Sequence, residues 1–223
     1  MIKNITNLGD AALYCDFGDE VNITTNSKVI NYFKNIKINK IDGITNLAPS
    51  YNKLIISFDL NIINFKTIKQ KILSLEIKDL VTTNTNKLEI PVCIDNEFAL
   101  DIERLEKKTN KSFSEIIKNF FDKEYFCYMT GFIAGMPFLG DLEKNLRVKR
   151  LETPRVKVPK GSVGITEQFT NIYTFESPGG WNIVGNTPIK IFDKKNKEMP
   201  TLINPGDKVK FYEITKKEYK NFQ

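Results

Sequence analysis

The sequence predicts an α+β chain with two domains, a small α+β sandwich over residues 1–83 and a β-barrel or rolled sheet over residues 84–223. In the first part, apolar residues recur with strand and helix periods in the order strand, helix, strand, strand, helix. The polar run VTTNTNK at 81–87 has no periodicity and indicates the domain boundary. Short apolar segments separated by turn residues follow, a pattern typical of a barrel.

The elements of the first domain follow from local patterns. The run AALYCDF at 11–17 comes after a Gly-Asp turn and predicts a strand. Apolar residues spaced three or four apart predict amphipathic helices, one at 27–38 with Ser27 as its N-cap and one at 65–77. Two strands are predicted between them, at 42–48 and 53–58, the second because β-branched residues dominate it.

The second domain opens with a predicted strand at 88–94 and a helix at 99–108. Ser112 and Glu115 have the spacing of a capping box, so a further helix is expected to begin there and to end near Lys123. The remaining predicted strands are short and separated by turns, at 125–129, 162–166, 171–175, 181–184, 188–192 and 208–214.

Composition limits the function. The net charge of +6 comes mainly from scattered lysines, which disfavours a nucleic-acid partner but is compatible with anionic small molecules. There is no histidine, so a histidine general base and histidine-ligated metal sites are excluded, and no metal site is expected. The three cysteines lie in apolar runs, which favours buried thiols in a reducing cytoplasm. No run has the length of a membrane span, so a cytoplasmic protein without a membrane contact is expected.

The stretch 131–193 is the candidate functional region. It holds eight of the 12 glycines, five of the nine prolines and the single tryptophan. Such density favours a sharply turning backbone, which a small barrel also needs at its corners without any chemistry attached. No phosphate loop of the standard glycine-rich kind and no nucleophile elbow occur in the sequence.

The segment 153–162 in this region carries cations at alternate positions of an extended run. Arg155 and Lys157 are therefore expected on one face, where Arg155 could hold a carboxylate or phosphate through two parallel hydrogen bonds. Ser162 closes the segment and is a candidate binding residue. For Lys157 and Lys160 a solvated edge strand is the favoured interpretation.

Two further segments supply the other candidates. The apolar glycine loop GFIAGMPFLG at 131–140 is expected to line a pocket or contact a partner. The segment SPGGW at 177–181 could bind an anion through backbone N–H groups, or could form a hairpin corner over a buried tryptophan. Asp141 and Glu176 are the nearby candidates for a general acid or base. The candidate binding residues of the two segments are Gly131, Phe132, Gly135, Pro137, Ser177, Gly179, Gly180 and Trp181.

Together the three segments resemble the family of the 5-oxoprolinase B subunit, which includes the kinase inhibitor KipI and the carboxyltransferase C and D subdomains of allophanate hydrolase and urea carboxylase. The resemblance rests on GFIAGMPFLGDL at 131–142, TPRVKVPKGSVGI at 153–165 and IYTFESPGGWNIVGNTP at 172–188. It extends to LGDAALYCDFGD near the start and NPGDKVKFYEI near the end, and so covers essentially the whole chain in order.

The resemblance implies a small α+β domain followed by a cyclophilin-like β-barrel domain. It also implies ATP-dependent cleavage of 5-oxo-L-proline to L-glutamate, in a complex with a second cyclophilin-like barrel protein, the C subunit of 5-oxoprolinase, and with the A subunit of that enzyme. ATP is thus the implied cofactor of the complex. A second possibility is an inhibitor that binds a sensor histidine kinase. A third is the carboxyltransferase part of a urea carboxylase or allophanate hydrolase system.

Three positions depart from the family pattern. Phe120 stands where a histidine is common, Phe169 lies where a glycine-rich run is usual, and Asn186 replaces an arginine before Thr-Pro. The residues that shape the backbone match the family while several polar residues do not. Either those polar residues are not essential, or the chain is a divergent member with another substrate or a weakened activity.

Overall fold

A computed structural model describes residues 1–80 and 85–222 of the chain. The chain divides into two compact units, Met1–Thr85 and Asn86–Gln223. The predicted domain boundary between residues 83 and 84 falls in 81–84, outside the described residues.

The first unit is a four-stranded antiparallel sheet with two helices. Its strands are β1 (Asn4–Asn7), β2 (Ala12–Asp16), β3 (Ile44–Pro49) and β4 (Lys53–Phe58), in the spatial order β1-β2-β4-β3. The helices α1 (Ile23–Asn39) and α2 (Phe65–Leu73) pack against this sheet. Leu13, Val29, Leu54, Ile56 and Ile68 are fully buried between the layers.

Two helix boundaries in this unit differ from the prediction. α1 begins at Ile23 because the cap is Asn22, whose side chain accepts a hydrogen bond from the backbone N–H of Thr25 at 2.8 Å, and not Ser27. α2 ends at Leu73, four residues before the predicted end, and Ser74 is its C-cap. The strand β1 was not predicted, since its sequence NITN has only one buried position.

The second unit is built around a closed barrel of seven strands. They are β5 (Lys87–Cys93), β6 (Glu124–Thr130), β7 (Pro137–Gly140), β9 (Ser162–Thr166), β10 (Phe169–Ile172), β12 (Asn182–Asn186) and β13 (Lys208–Ile214). Their order around the barrel is β10-β7-β6-β13-β5-β12-β9, with β10 also paired to β9. The β13–β5 pair is parallel and the other pairs are antiparallel. This barrel confirms the predicted α+β class with its C-terminal barrel.

A separate two-stranded sheet, β8 (Arg155–Val158) and β11 (Ser177–Gly179), accompanies the barrel. Three helices complete the unit, α3 (Ile102–Thr109), α4 (Phe113–Phe121) and α5 (Lys216–Asn221). The predicted capping box at the start of α4 is confirmed, because Ser112 and Glu115 bond each other's backbone N–H groups. The predicted strand at 188–192 is wrong: the structure has only an isolated bridge between Phe192 and Thr201 there.

The barrel encloses a large apolar core. Phe120 of α4 is fully buried in it and stacks on Phe211 of β13, with 5.1 Å between ring centroids. Tyr125 lies beside both rings and donates its hydroxyl hydrogen to the carbonyl of Phe120 at 2.9 Å. These ring contacts pack α4 against the barrel strand β13.

The three cysteines are buried free thiols, Cys15 in the first unit and Cys93 and Cys127 in the second. Burial raises the pKa of Cys15 to about 12 and also raises the pKa of Cys93 and of Cys127. Over the described residues, no helix is both long and apolar enough to cross a membrane. Nor do the described residues include a group of three His, Cys, Asp or Glu side chains that could hold a metal ion.

Candidate functional site

The three candidate segments of the sequence meet in the barrel unit. Met136 from the first segment, Val158 from the second, and Tyr173 and Ile183 from the third form one small buried apolar cluster. This cluster is separate from the main barrel core. These segments are separate in the chain and share one neighbourhood because β7, β10, β9 and β12 are successive neighbours in the closed sheet, while β8 pairs with β11.

The first segment is tied to the third by two contacts. Thr174 donates its hydroxyl hydrogen to the carbonyl of Ala134 at 2.7 Å, and the rings of Phe138 and Trp181 meet edge to face at 5.6 Å. Gly135 has a φ of +70°, and a Cβ there would lie 2.5 Å from the Phe192 ring, so both the conformation and the space require glycine.

Phe132, in the same loop, is unusual on two counts. It has a φ of +68°, in the left-handed region that phenylalanine seldom adopts, and its side chain is 73% exposed. The loop therefore holds a large aromatic ring in solvent at a cost in backbone strain, which is typical of a functional contact.

Arg155 forms a partly buried ion pair. Its Nη2 donates to Asp101 Oδ1 at 2.6 Å, and the two side chains are 26% and 5% exposed. Asp101 Oδ2 accepts from the backbone N–H of Ile183 at 2.6 Å, so both carboxylate oxygens are used. The Ile183 N–H thus holds the carboxylate, and the carboxylate in turn restrains the guanidinium through one hydrogen bond, which favours preorganisation for anion recognition.

Tyr173 occupies the centre of the cluster and is 1% exposed. Burial raises its pKa, and the hydrogen bonds of its hydroxyl with the Asn171 side chain and the Trp181 backbone, together with the charge of Arg155, act in the opposite direction. Gly179 packs against this hydroxyl, and a Cβ at Gly179 would lie 2.8 Å from the Tyr173 ring. The glycine allows β11 to approach Tyr173 closely.

Three buried polar atoms in this neighbourhood have no hydrogen-bond partner among the described residues, and one of them is Asn171 Oδ1, whose side chain also contacts Met136 of the cluster. Arg155 Nη1 and Ser177 Oγ are both shielded from solvent, and neither finds a hydrogen-bond partner among the residues that the structure describes. Buried polar groups are almost always paired in folded proteins, so such atoms in one neighbourhood indicate a site that is completed by a bound molecule.

The other predicted binding residues serve the backbone of the site. The N–H of Gly131 donates to the carbonyl of Met136 at 3.0 Å and closes the apolar loop, while Pro137 begins β7. Ser162 is buried, and its carbonyl accepts from the N–H of Tyr173 at 2.9 Å. Gly179 ends β11, and the carbonyl of Gly180 accepts from the N–H of Leu151 at 2.7 Å.

The anion-binding role of the 177–180 backbone stays a prediction. Ser177 to Gly179 are an extended strand, and neither Gly179 nor Gly180 has a positive φ.

The two predicted acid or base residues make other contacts. Asp141 accepts the hydroxyl hydrogen of Tyr128 at 3.0 Å, and burial followed by this carboxylate raises the pKa of Tyr128. Glu176 pairs with Lys157 at 3.1 Å on an exposed face, with side chains 56% and 74% exposed. Neither carboxylate is among the residues that form the buried cluster. Their catalytic role stays a prediction.

The three departures from the family pattern lie in three different places. Phe120 belongs to the barrel core. Phe169 packs edge to face on Tyr128, with 5.6 Å between ring centroids. Asn186 is buried and accepts the Tyr219 hydroxyl hydrogen at 2.8 Å, beside Gly161. Each of these side chains has a packing role in this chain.

Sequence reasoning missed Asp101 and Asn182. Asp101 directly precedes α3, and no local pattern connects it to Arg155, which lies 54 residues further along the chain. Asn182 is fully buried and accepts from Arg104 Nε at 2.8 Å. The one available signal was the scarcity of arginine, since each of these polar residues holds one of the chain's four arginines.

The chain thus combines an α+β unit with a closed barrel, and three of its segments meet in one cluster of the barrel unit. The family model described as carboxyltransferase domain, subdomain C and D, matches residues 3–203. The chain therefore belongs to this family.

The chain is similar to two proteins that are named as the B subunit of 5-oxoprolinase. It is 34% identical to the protein from Bacillus subtilis, over 96% of this chain and 94% of that protein. It is also 34% identical to the protein from Haemophilus influenzae, over 93% of this chain and 96% of that protein. Among solved structures, the Kluyveromyces lactis urea amidolyase matches with a TM-score of 0.79 and 18% identity, over 97% of this chain and 15% of that one. This last likeness shows the fold alone.

Proposed function

We propose that this chain is the B subunit of an ATP-dependent 5-oxoprolinase, a complex that hydrolyses 5-oxo-L-proline to L-glutamate. The observation that carries the proposal is the end-to-end similarity, at 34% identity over 96% of the chain, to a protein of that name. The chain works in a complex with a second cyclophilin-like barrel protein, the C subunit of 5-oxoprolinase, and with the A subunit.

The chemistry explains why ATP is needed. A lactam is a poor electrophile, and transfer of the terminal phosphoryl group of ATP to its oxygen makes the ring carbon open to attack by water. Water adds to that carbon, the ring C–N bond breaks, and the nitrogen takes up a proton to become the amine of glutamate. A second water then releases phosphate from the acyl phosphate. The ATP stands here as a co-substrate of the complex.

The role of the present chain is to bind and orient an anionic group. Arg155, fixed by Asp101, and the Ser177 hydroxyl are donors that suit the carboxylate of 5-oxoproline or the oxygen that develops negative charge. Asp141 and Glu176 remain candidate acids or bases, and the neighbouring barrel protein is expected to complete the site.

Exposed apolar residues support the need for a partner. Phe132, Val156 and Phe175 are 73%, 81% and 42% exposed, and all three lie on the segments that form the candidate site. Large apolar side chains left in solvent on such segments are typical of an interface between the proteins of a complex.

The test is the activity of the complex reconstituted from this chain and the A and C subunits of 5-oxoprolinase. Phosphate and glutamate release are measured with and without 5-oxoproline, and we expect release that depends on 5-oxoproline. Ser177→Ala is the informative variant, because its hydroxyl has no partner among the described residues and its removal should leave the folded state intact. We expect its kcat/KM for 5-oxoproline to fall about tenfold, which corresponds to the loss of one hydrogen bond.

Ser114→Ala provides the matched control, since Ser114 lies exposed on α4, and it should retain wild-type kcat/KM. An intact complex that releases no phosphate in response to 5-oxoproline would overturn the proposed function. A Ser177→Ala complex with unchanged kcat/KM would remove only the role of the hydroxyl.

A further inference from the structure

Three of the chain's four arginines, Arg104, Arg147 and Arg150, line one pocket of about 300 Å³ in the barrel unit. The pocket lies between α3 and the segment that follows the 3₁₀ turn at Lys144–Leu146. It contains none of the residues of the three-segment cluster. The remaining lining residues are Lys108, Val148, Lys149 and Glu152.

A buried asparagine bonds to two of the residues that line this arginine pocket. Asn182 is fully buried, and its Nδ2 donates to the carbonyl of Lys149 at 3.2 Å while its Oδ1 accepts from Arg104 Nε at 2.8 Å. Arg104 Nη2 donates to the same carbonyl at 3.3 Å. One buried side chain thus fixes both the arginine of α3 and the backbone of the facing segment.

The facing segment is anchored on the N-terminal side of Lys149. Val148 is buried, and its carbonyl accepts from the N–H of Glu167 at 2.9 Å. Arg147 Nε donates to the carbonyl of Leu142 at 3.0 Å. Arg147 therefore uses Nε to hold the fold, and no hydrogen bond of its Nη groups is found among the described residues. This arrangement is preorganised, which lowers the entropy cost of binding.

The charges of the pocket are unbalanced. Five cationic side chains line it with a single carboxylate, Glu152, and none of the five forms an ion pair among the described residues. Arg155, the remaining arginine, is in contrast paired with a carboxylate. Like charges held together without counterions repel, and a concave arrangement of them attracts an anion of high charge.

We propose that the arginine pocket binds the phosphate chain of a small molecule with at least two linked phosphates. Guanidinium groups match phosphate oxygens with paired hydrogen bonds, and a ligand with several negative charges offsets the excess of cations better than a monocarboxylate does. The lining includes no aromatic side chain to stack a base, so recognition rests on the phosphates. The inference concerns this chain alone and does not depend on the proposed enzymatic activity.

The experiment is calorimetric titration of the full chain with inorganic diphosphate and with ATP at low ionic strength. We expect both to bind, with similar affinity, and the affinity to fall as salt is added. The double variant Lys149→Gln, Arg150→Gln removes two pocket charges whose side chains take no part in a hydrogen bond among the described residues. It should bind diphosphate at least about tenfold more weakly, the effect of losing about 1.4 kcal/mol.

The matched control is Lys194→Gln, Lys197→Gln, which removes two charges from exposed positions outside the pocket and should keep wild-type affinity. Three results would overturn the proposal: no binding of diphosphate by the wild-type chain, equal loss of affinity in both double variants, or binding of succinate as tight as that of diphosphate. Tighter binding of a DNA oligonucleotide than of diphosphate would also overturn it, since the surface would then serve a nucleic acid. An active complex whose chain fails to bind diphosphate would contradict this inference and leave the proposed function standing.

Discussion

Asn35 in the first unit and the pair Arg155 and Ser177 in the barrel unit differ in how completely their buried polar atoms are paired. In the first unit, the side chain of Asn35 is 3% exposed, and both ends of its amide group bond to backbone. Its Nδ2 donates to the carbonyls of Asn31 and Lys78, and its Oδ1 accepts from the N–H of Lys78. In the barrel unit, Arg155 and Ser177 each keep a buried polar atom without a partner among the described residues. The full pairing of Asn35 stabilises the fold, whereas the unpaired atoms of Arg155 and Ser177 can still bond to a ligand.

The barrel unit contains two kinds of arginine, which differ in whether a carboxylate lies beside them. Arg155 is held by a buried carboxylate and has a single unused nitrogen in a shielded place. The arginines of the pocket have no carboxylate partner among the described residues and are concentrated around one concavity. Arg155 thus bonds a buried carboxylate through one nitrogen and keeps another for a ligand, whereas the pocket arginines have no such counter-charge among the described residues.

The largest effect is expected from Arg155→Ala, which should lower the free energy of unfolding by about 3–5 kcal/mol, because it leaves the buried charge of Asp101 without its counterion. Asp101→Asn, Arg155→Gln removes both charges and should be markedly less destabilising. Urea denaturation of the full chain measures both variants. If Arg155→Ala unfolds at the wild-type urea concentration, the ion pair is not a structural element, and Asp101 does not depend on Arg155 as its counterion.

The second-largest effect is expected from Gly179→Ala. It should lower the free energy of unfolding by about 1–3 kcal/mol, because the added methyl group would overlap the buried ring of Tyr173. Gly180→Ala is the matched control: its Cβ would lie 3.6 Å from the nearest atoms of Leu151 and Pro154, and its unfolding free energy should change by less than about 0.5 kcal/mol. Thermal denaturation of both variants tests the pair. Equal losses would mean that the two glycines serve backbone conformation and not the close approach to Tyr173.

The smallest effect is expected in the first unit. Asn35→Ala removes three hydrogen bonds to backbone and should lower the free energy of unfolding by about 1–2 kcal/mol, without changing diphosphate binding in the barrel unit. Asn39→Ala removes one bond, to the carbonyl of Asn35 at 2.8 Å, and should change stability by less than half as much. A loss of ligand binding in Asn35→Ala would contradict the division of roles between the two units.

Local sequence patterns correctly predicted features that depend on residues close together in the chain, such as helix caps and single strands. The capping box at Ser112, the strand Lys53–Phe58 and the strand Lys208–Ile214 were predicted from spacing and β-branched content and are confirmed. The start of α1 was wrong by four residues because two polar residues, Asn22 and Ser27, could each cap the helix. The predicted strand at 188–192 was wrong because, among the described residues, this segment forms only a one-residue bridge and has no strand to pair with.

The sequence by itself determined the α+β class, the barrel in the second part and the three glycine-rich segments around which the candidate site forms. Only the tertiary structure decided that Asp101 meets Arg155, that Asn182 fixes Arg104, and that three arginines share one pocket. Secondary structure depends on residues a few positions apart in the chain, and the spacing of apolar residues in the sequence reveals it. These pairings join residues 54 and 78 positions apart, and they exist because the barrel closes in one register, which no local pattern in the chain encodes.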